Sequence, residues 1–210
     1  MSTLSFMTES RHDATERALA ALRRLPATFT YSEATAAGLH HRALYGLRDA
    51  GVIEALGRGL YRRADAALVD PTLAEVAARV PVATLCLTSA LVEHGLSDAI
   101  PPAPHLALPR GHRFPATSGP VSWHAFAPAT FELGRESLTV DTDLRLGLYS
   151  AERTLVDTFR LRHVVGADEA YEALRRWSGR RGSRPARLLE LAGHFPGAVA
   201  PLRHALEVLL

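Results

Sequence analysis

A glycine–arginine–glycine triplet at residues 57–59 constrains the fold of the first part of this chain more than any other feature. It separates two short runs, residues 52–56 and 60–63, whose aliphatic and aromatic residues are typical of strands. Glycine accepts a positive φ at little cost, so the triplet predicts a tight turn and the two runs predict a β-hairpin. Arg58 would stand at the tip of that hairpin, between two residues without side chains.

Three helical segments precede the hairpin. Residues 13–25 carry apolar side chains at helical spacing, and a proline ends this pattern. Thr30 and Ser32 can cap a short helix near residues 33–37, and Gly38 supplies the turn into a third helix near residues 40–50. Helix, short helix, glycine turn, helix and hairpin is the order of a winged helix-turn-helix.

The third helix has an apolar stripe, with Leu44 and Leu47, that belongs against the first helix. Its other side and the hairpin carry groups that can fork onto guanine or contact phosphates. The candidate contacts with double-stranded DNA are His41, Arg42, Tyr45, Arg48, Arg58, Arg62 and Arg63. A solvated helix face, or a winged helix that contacts only proteins, remains an alternative.

The basic side chains restrict the chemistry of the chain. All 24 are arginine among 210 residues, and the formal net charge is +2. A P-loop or a Schiff-base enzyme needs a lysine, so these classes are excluded and we expect no enzyme. Cys86 is the only cysteine, which excludes an intrachain disulfide and a four-cysteine zinc site. No secretion signal or membrane-spanning run is found, so we expect a cytoplasmic protein.

The rest of the chain predicts an α+β domain, with residues 1–66 as the DNA-binding domain and 67–210 as the second domain. Short alternating segments predict a small, mainly antiparallel sheet. The predicted strands are 105–108, 121–126, 136–140 and 144–149. The predicted helices are 70–80, 89–94, 151–162, 167–177, 185–193 and 198–209; the residues just before 89 fit a strand or a helix.

Other candidate sites in the second domain are weaker. The ten histidines lack metal-ligand spacing, so we expect no metal and no cofactor. The acidic pair in Asp141-Thr142-Asp143 is expected in a solvated turn. Arg153 and Asp157 are four residues apart on one helix and predict a surface ion pair. An arginine cluster over residues 175–187 predicts either a solvated loop or a contact surface for phosphates or an acidic partner.

Three parts of the chain resemble the AbiEi-type antitoxins of type IV toxin–antitoxin systems. They are the hairpin region 51–62, the segment 87–96 followed by HLALPRG at 105–111, and the segment 150–160 followed by 166–174. The resemblance implies that the winged helix binds operator DNA and that the protein represses its own operon. Whether the protein binds DNA as a dimer is left open. The resemblance also implies a C-terminal domain that neutralises a nucleotidyltransferase-like toxin, directly or indirectly.

The antitoxin surface is assigned to charged residues of the C-terminal helices. The candidates are Arg153, Asp157, Arg160, Arg175, Arg176, Arg180 and Arg181. A stand-alone winged-helix regulator, whose second domain senses a ligand or dimerises, is the alternative function. An enzyme acting on nucleic acid is disfavoured because lysine and a metal constellation are both missing.

Overall fold

The computed structural model describes residues 14–67 and 69–209. Asp13, the predicted start of the first helix, therefore lies outside the described residues. Two compact units divide the chain: Met1–Arg79 with Thr139–Arg145, and Val80–Leu138 with Leu146–Leu210. The first unit is thus discontinuous in sequence. The functional assignment of two domains at residues 1–66 and 67–210 stays a prediction.

The first unit combines short helices with a small antiparallel sheet of strand order β1-β3-β2. Of the two predicted caps, Thr30 caps the second helix through a capping box with Glu33, whereas Ser32 lies inside that helix. The core packs Leu22, Phe29 and Leu44 together. The elements are α1 (residues 14–22), β1 (Thr28–Thr30), α2 (Tyr31–Ala36), α3 (His41–Asp49), β2 (Ile53–Gly57), β3 (Leu60–Arg63) and α4 (Pro71–Arg79).

The second unit is built on a five-stranded sheet, two strands of which extend into residues assigned to the first unit. Its strands are β4 (Thr84–Leu85), β5 (His105–Pro109), β6 (Ser122–Phe126), β7 (Arg135–Asp141) and β8 (Leu144–Tyr149). Its helices are α5 (Leu87–Glu93), α6 (Pro128–Phe131), α7 (Ala151–Arg160), α8 (Arg162–Val165), α9 (Ala167–Ser178), α10 (Pro185–Ala192) and α11 (Val199–Leu209).

The five-stranded sheet is mixed, which corrects the expectation of a mainly antiparallel sheet. Its strand order is β6-β5-β4-β8-β7, and both β5–β6 and β4–β8 are parallel pairs. A parallel pair needs a connection of about a dozen residues. Residues 110–121 supply this length between β5 and β6, so these strands need not form a hairpin.

The helices of the second unit share a continuous apolar core. Leu91 of α5, Leu155 and Phe159 of α7, Leu174 of α9 and Leu202 of α11 are all fully buried in it. The core therefore holds α7 at the centre of the helices. None of the helices in the described residues is long and apolar enough to cross a membrane.

Candidate nucleic-acid interface

Helix α3 presents one apolar and one polar side. Leu44 and Leu47 are buried, whereas the four predicted contact residues of this helix are exposed. Tyr45 follows His41 by four residues and Arg42 by three, and Arg48 follows Tyr45 by three, so the side chains form one continuous stripe. We call this stripe the α3 face; it consists of His41, Arg42, Tyr45 and Arg48.

The side chains of the α3 face differ in how firmly they are held. The rings of His41 and Tyr45 lie 4.3 Å apart between centroids, and the guanidinium carbon of Arg48 lies 4.4 Å from the Tyr45 ring centroid. Arg48 also forms an ion pair of 3.0 Å with Asp49. The side chain of Arg42 has no partner among the described residues. Arg42 is therefore the cation of this face most available to a ligand.

The tip of the β2–β3 hairpin is a two-residue turn of Arg58 and Gly59. Gly59 has a φ of +69°, a left-handed conformation that favours glycine. The backbone N–H of Tyr31 donates to the Gly59 carbonyl at 2.8 Å, and Arg79 donates to the Arg58 carbonyl. The Arg58 side chain is exposed and has no partner in the described part of the chain. The backbone of the tip is thus held while its cation stays free.

Arg62 does not occupy the surface position predicted for it. It is only 5% exposed, because it shares the buried side of β3 with Leu60. Its guanidinium lies 3.4 Å from Asp141, which also accepts a hydrogen bond of 3.1 Å from the Thr28 hydroxyl. Arg62 is therefore engaged inside the first unit and unavailable for a phosphate contact. Asp141 likewise departs from the solvated turn expected for it.

Arg63 lies on the opposite side of β3 and is half-buried. It forms an ion pair of 2.8 Å with Asp65. The hydrogen bond with Asp65 raises the pKa of Arg63, and the same bond lowers the pKa of Asp65. A DNA phosphate would have to compete with this carboxylate, so Arg63 is a weaker candidate than Arg58.

In the second unit, Arg153 and Asp157 form a buried ion pair, whereas the sequence predicts a surface pair. Arg153 donates to Asp157 at 2.8 Å and to the backbone carbonyls of Thr130 and Leu133 at 2.7 and 2.5 Å. Arg160 donates to the other oxygen of the Asp157 carboxylate at 2.8 Å. Both Arg153 and Asp157 have no exposed surface, so neither can contact a partner. Their assignment to an antitoxin surface is corrected accordingly.

The first half of the arginine cluster is occupied by contacts within the chain. Arg175 and Arg176 both bind Glu172, and Arg176 also reaches Asp98 at 2.6 Å. The hydrogen bonds that Arg175 and Arg176 donate to Glu172 lower the pKa of Glu172 to about 2. Arg180 donates to two backbone carbonyls that follow α5, at 2.7 and 2.9 Å. The charges of these three arginines are therefore partly satisfied already.

The second half of the cluster is different. Arg181, Arg184 and Arg187 are exposed, and none has a side-chain partner among the described residues. We call these three the free arginines. Two of them border an open cavity of about 460 Å³ whose lining residues are Ser150, Glu152, Gly182, Arg184, Arg187 and Leu191.

Two further groups in the second unit have chemistry of interest. His105 and His124 lie 3.0 Å apart between ring nitrogens, and burial together with His105 lowers the pKa of His124 to about 4. Burial raises the pKa of the Cys86 thiol well above its ordinary value, so this cysteine is not a ready nucleophile. The described residues contain no cluster of three metal-ligating side chains.

The comparisons with known proteins bear on the first unit. Residues 16–64 match the family model described as "Transcriptional regulator, AbiEi antitoxin". The match runs from α1 through β3, so the resemblance to the AbiEi antitoxin regulators is confirmed for the segment that carries the α3 face and the hairpin. No curated protein matches the chain.

A solved structure extends the comparison of folds beyond this segment. The crystal structure of the RV2827C protein from Mycobacterium tuberculosis aligns with a TM-score of 0.53 and 21% sequence identity. The alignment covers 90% of this chain and 79% of that chain. The α+β architecture that surrounds the AbiEi-matched segment is therefore shared with a known fold.

Proposed function

We propose that this protein is an AbiEi-type antitoxin and transcriptional regulator that binds double-stranded operator DNA and represses its own operon. The observation that carries the proposal is the pair of unpartnered cations Arg42 and Arg58. They stand on the α3 face and at the hairpin tip, inside the AbiEi-matched segment. Helices α2 and α3 with this hairpin would form a winged helix-turn-helix, and a symmetric pair of chains would suit a repeated operator.

The two cations would contact different parts of the DNA. Arg42, near the start of α3, is placed to reach base edges if α3 enters the major groove. Arg58, at the tip of a hairpin, is placed to contact phosphates or the adjacent minor groove. Tyr45 and His41 would support the first contact, since their rings are in contact with each other on the same face as Arg42.

Fluorescence anisotropy with duplex DNA from upstream of the chain's own gene tests this proposal. We expect Arg58→Ala to weaken binding and to make the log–log salt slope shallower by about one, because one phosphate contact is lost. Arg42→Ala should lower affinity for the operator more than affinity for scrambled duplex DNA.

Arg175→Ala is the matched control, since it removes an exposed arginine from the second unit. It should leave operator affinity unchanged. If neither Arg58→Ala nor Arg42→Ala changes affinity, the proposed DNA interface is wrong.

We assign the contact with a nucleotidyltransferase-like toxin to the free arginines, because their side chains have no ion-pair partner among the described residues. The cavity that Arg184 and Arg187 border would accept an acidic group of the partner. On this proposal the protein acts by binding and is not an enzyme.

Co-expression of the full chain with a nucleotidyltransferase toxin encoded beside its gene tests the assignment to a toxin; absence of such a gene would count against it. The wild-type chain should restore growth, and the triple variant Arg181→Ala, Arg184→Ala, Arg187→Ala should fail to do so at equal protein level. Arg175→Ala serves as the control on the same unit. Full protection by the triple variant would exclude the free arginines, and no protection by the wild type would exclude the antitoxin assignment.

A further inference from the structure

Helix α4 ends beside the hairpin tip, and its last residue contacts the turn. Arg79 donates from one terminal nitrogen to the carbonyl oxygen of Arg58. Its other terminal nitrogen lies 2.9 Å from the carboxylate of Glu75, one helical turn earlier. The Glu75 side chain is 1% exposed, so the ion pair places a buried carboxylate beside the guanidinium. Both ends of the Arg79 guanidinium are therefore used inside the first unit.

The contact with Arg79 completes a two-sided hold on the turn. The Gly59 carbonyl accepts from the Tyr31 amide of α2 at 2.8 Å, and the Arg58 carbonyl accepts from Arg79 of α4. Both carbonyls of the two-residue turn are thus held by elements outside the hairpin. A hairpin tip whose carbonyls contacted only solvent would keep more conformational entropy. The loss of this entropy on binding a ligand would weaken the affinity.

We propose that Arg79 is a positioning residue for the DNA contact of Arg58, held in place by the buried carboxylate of Glu75. The inference rests on the proposed function, since it needs Arg58 to bind DNA. On this proposal Arg79 acts through the backbone of the turn and not through a phosphate, since its charge is paired with Glu75 and one terminal nitrogen donates to the Arg58 carbonyl. It acts by ordering the backbone of the turn that carries Arg58 before DNA binds.

This mechanism has a signature that separates Arg79 from a direct DNA contact. Arg79→Gln should weaken operator binding roughly threefold to tenfold, the range expected from loss of one hydrogen bond. The salt slope should stay at the wild-type value, because the number of phosphate contacts is unchanged. Arg58→Ala, by contrast, should make the slope shallower.

The double variant Arg58→Ala, Arg79→Gln gives a second signature. If Arg79 acts only through Arg58, the double variant should bind no more weakly than Arg58→Ala alone. Arg79→Lys retains the positive charge but lacks the two-ended guanidinium fork. It should therefore bind as weakly as Arg79→Gln.

Anisotropy titrations over a salt series on the full-length variants provide the test, and thermal melts check that each variant is folded. Three results would each overturn the inference. The first is a salt slope that becomes shallower by about one in Arg79→Gln. The others are additive losses of binding free energy in the double variant and wild-type affinity in Arg79→Lys. Failure of the proposed function looks different: Arg58→Ala and Arg42→Ala would then both bind like the wild type. The inference alone fails if Arg58→Ala weakens binding and Arg79→Gln does not.

Discussion

Arg153 is a charged residue in the interior of the second unit. Its guanidinium carbon lies 4.2 Å from the ring centroids of both Tyr149 and Phe195, and its donors reach Asp157 and two backbone carbonyls. The spacing of four residues predicts the ion pair with Asp157. It cannot predict burial, because the rings and carbonyls that enclose Arg153 come from distant parts of the chain.

Removing one charge of this pair should be costly. Asp157→Asn would leave the Arg153 guanidinium buried without its counter-charge, which is expected to lower the free energy of unfolding by about 3–5 kcal/mol. Glu172→Gln removes an exposed ion-pair partner of Arg175 and should change stability little. Urea denaturation of both variants measures the difference, and equal midpoints would contradict the role given to the buried pair.

His124 should make the protein less stable in mild acid. Burial and the neighbouring His105 lower its folded-state pKa from 6.5 to about 4. Between these pH values the unfolded chain binds a proton at this histidine that the folded chain does not. The contribution of neutral His124 to the free energy of unfolding is therefore complete above pH 6.5 and declines as the pH falls towards 4.

The expected result is a smaller loss of stability between pH 7 and pH 5 in His124→Gln than in the wild type. Urea denaturation at the two pH values measures it, with His112→Gln as an exposed control. An unchanged pH dependence in His124→Gln would remove His124 as its source.

The accuracy of the sequence predictions depended on element length. The predicted helices 151–162, 167–177 and 185–193 correspond to α7, α9 and α10, because their apolar spacing extends over several turns. Strands β1 and β4 and helices α6 and α8 have two to four residues each. Such segments are too short to show a period. The parallel pair of β4 and β8 also joins strands far apart in sequence, which no local pattern predicts.

The turn between α6 and β7 depends on Gly134. It has a φ of +67°, and a Cβ added there would lie 2.7 Å from the Cβ of Arg153. Gly134→Ala should therefore lower the free energy of unfolding by more than about 1 kcal/mol. Gly182→Ala is the matched control, since Gly182 also has a positive φ but no atom within 4 Å of the added Cβ. Thermal melts should show the larger loss for Gly134→Ala; the reverse order would contradict a close approach at this turn.

At the scale of the whole molecule, the candidate DNA interface was the part most accessible from sequence. Turn glycines and helix periodicity placed Arg42 and Arg58 on exposed positions. The same reasoning failed for Arg62, because its partner Asp141 is 79 residues away. The first unit includes Thr139–Arg145, and no feature of the sequence of residues 1–66 predicts that this segment belongs to it.

Asp141 should therefore matter to the first unit in spite of its place in the sequence. Asp141→Asn would leave Arg62 buried with no counter-charge, and it should speed hydrogen exchange of the β3 amides. Asp143→Asn, two residues away and exposed, should leave exchange at β3 unchanged. Similar exchange rates in the two variants would show that the Arg62–Asp141 pair adds nothing to the first unit.

On the proposed function, the discontinuity of the first unit restricts how such proteins can exchange operator specificity through recombination. One crossover after residue 66 or 79 would transfer Arg62 into a gene that encodes another chain's segment at the position of Thr139–Arg145. The hybrid would have a buried guanidinium whose acceptor depends on the recipient. Functional hybrids should then be those in which the recipient supplies an acid at the position of Asp141, or those made by two crossovers.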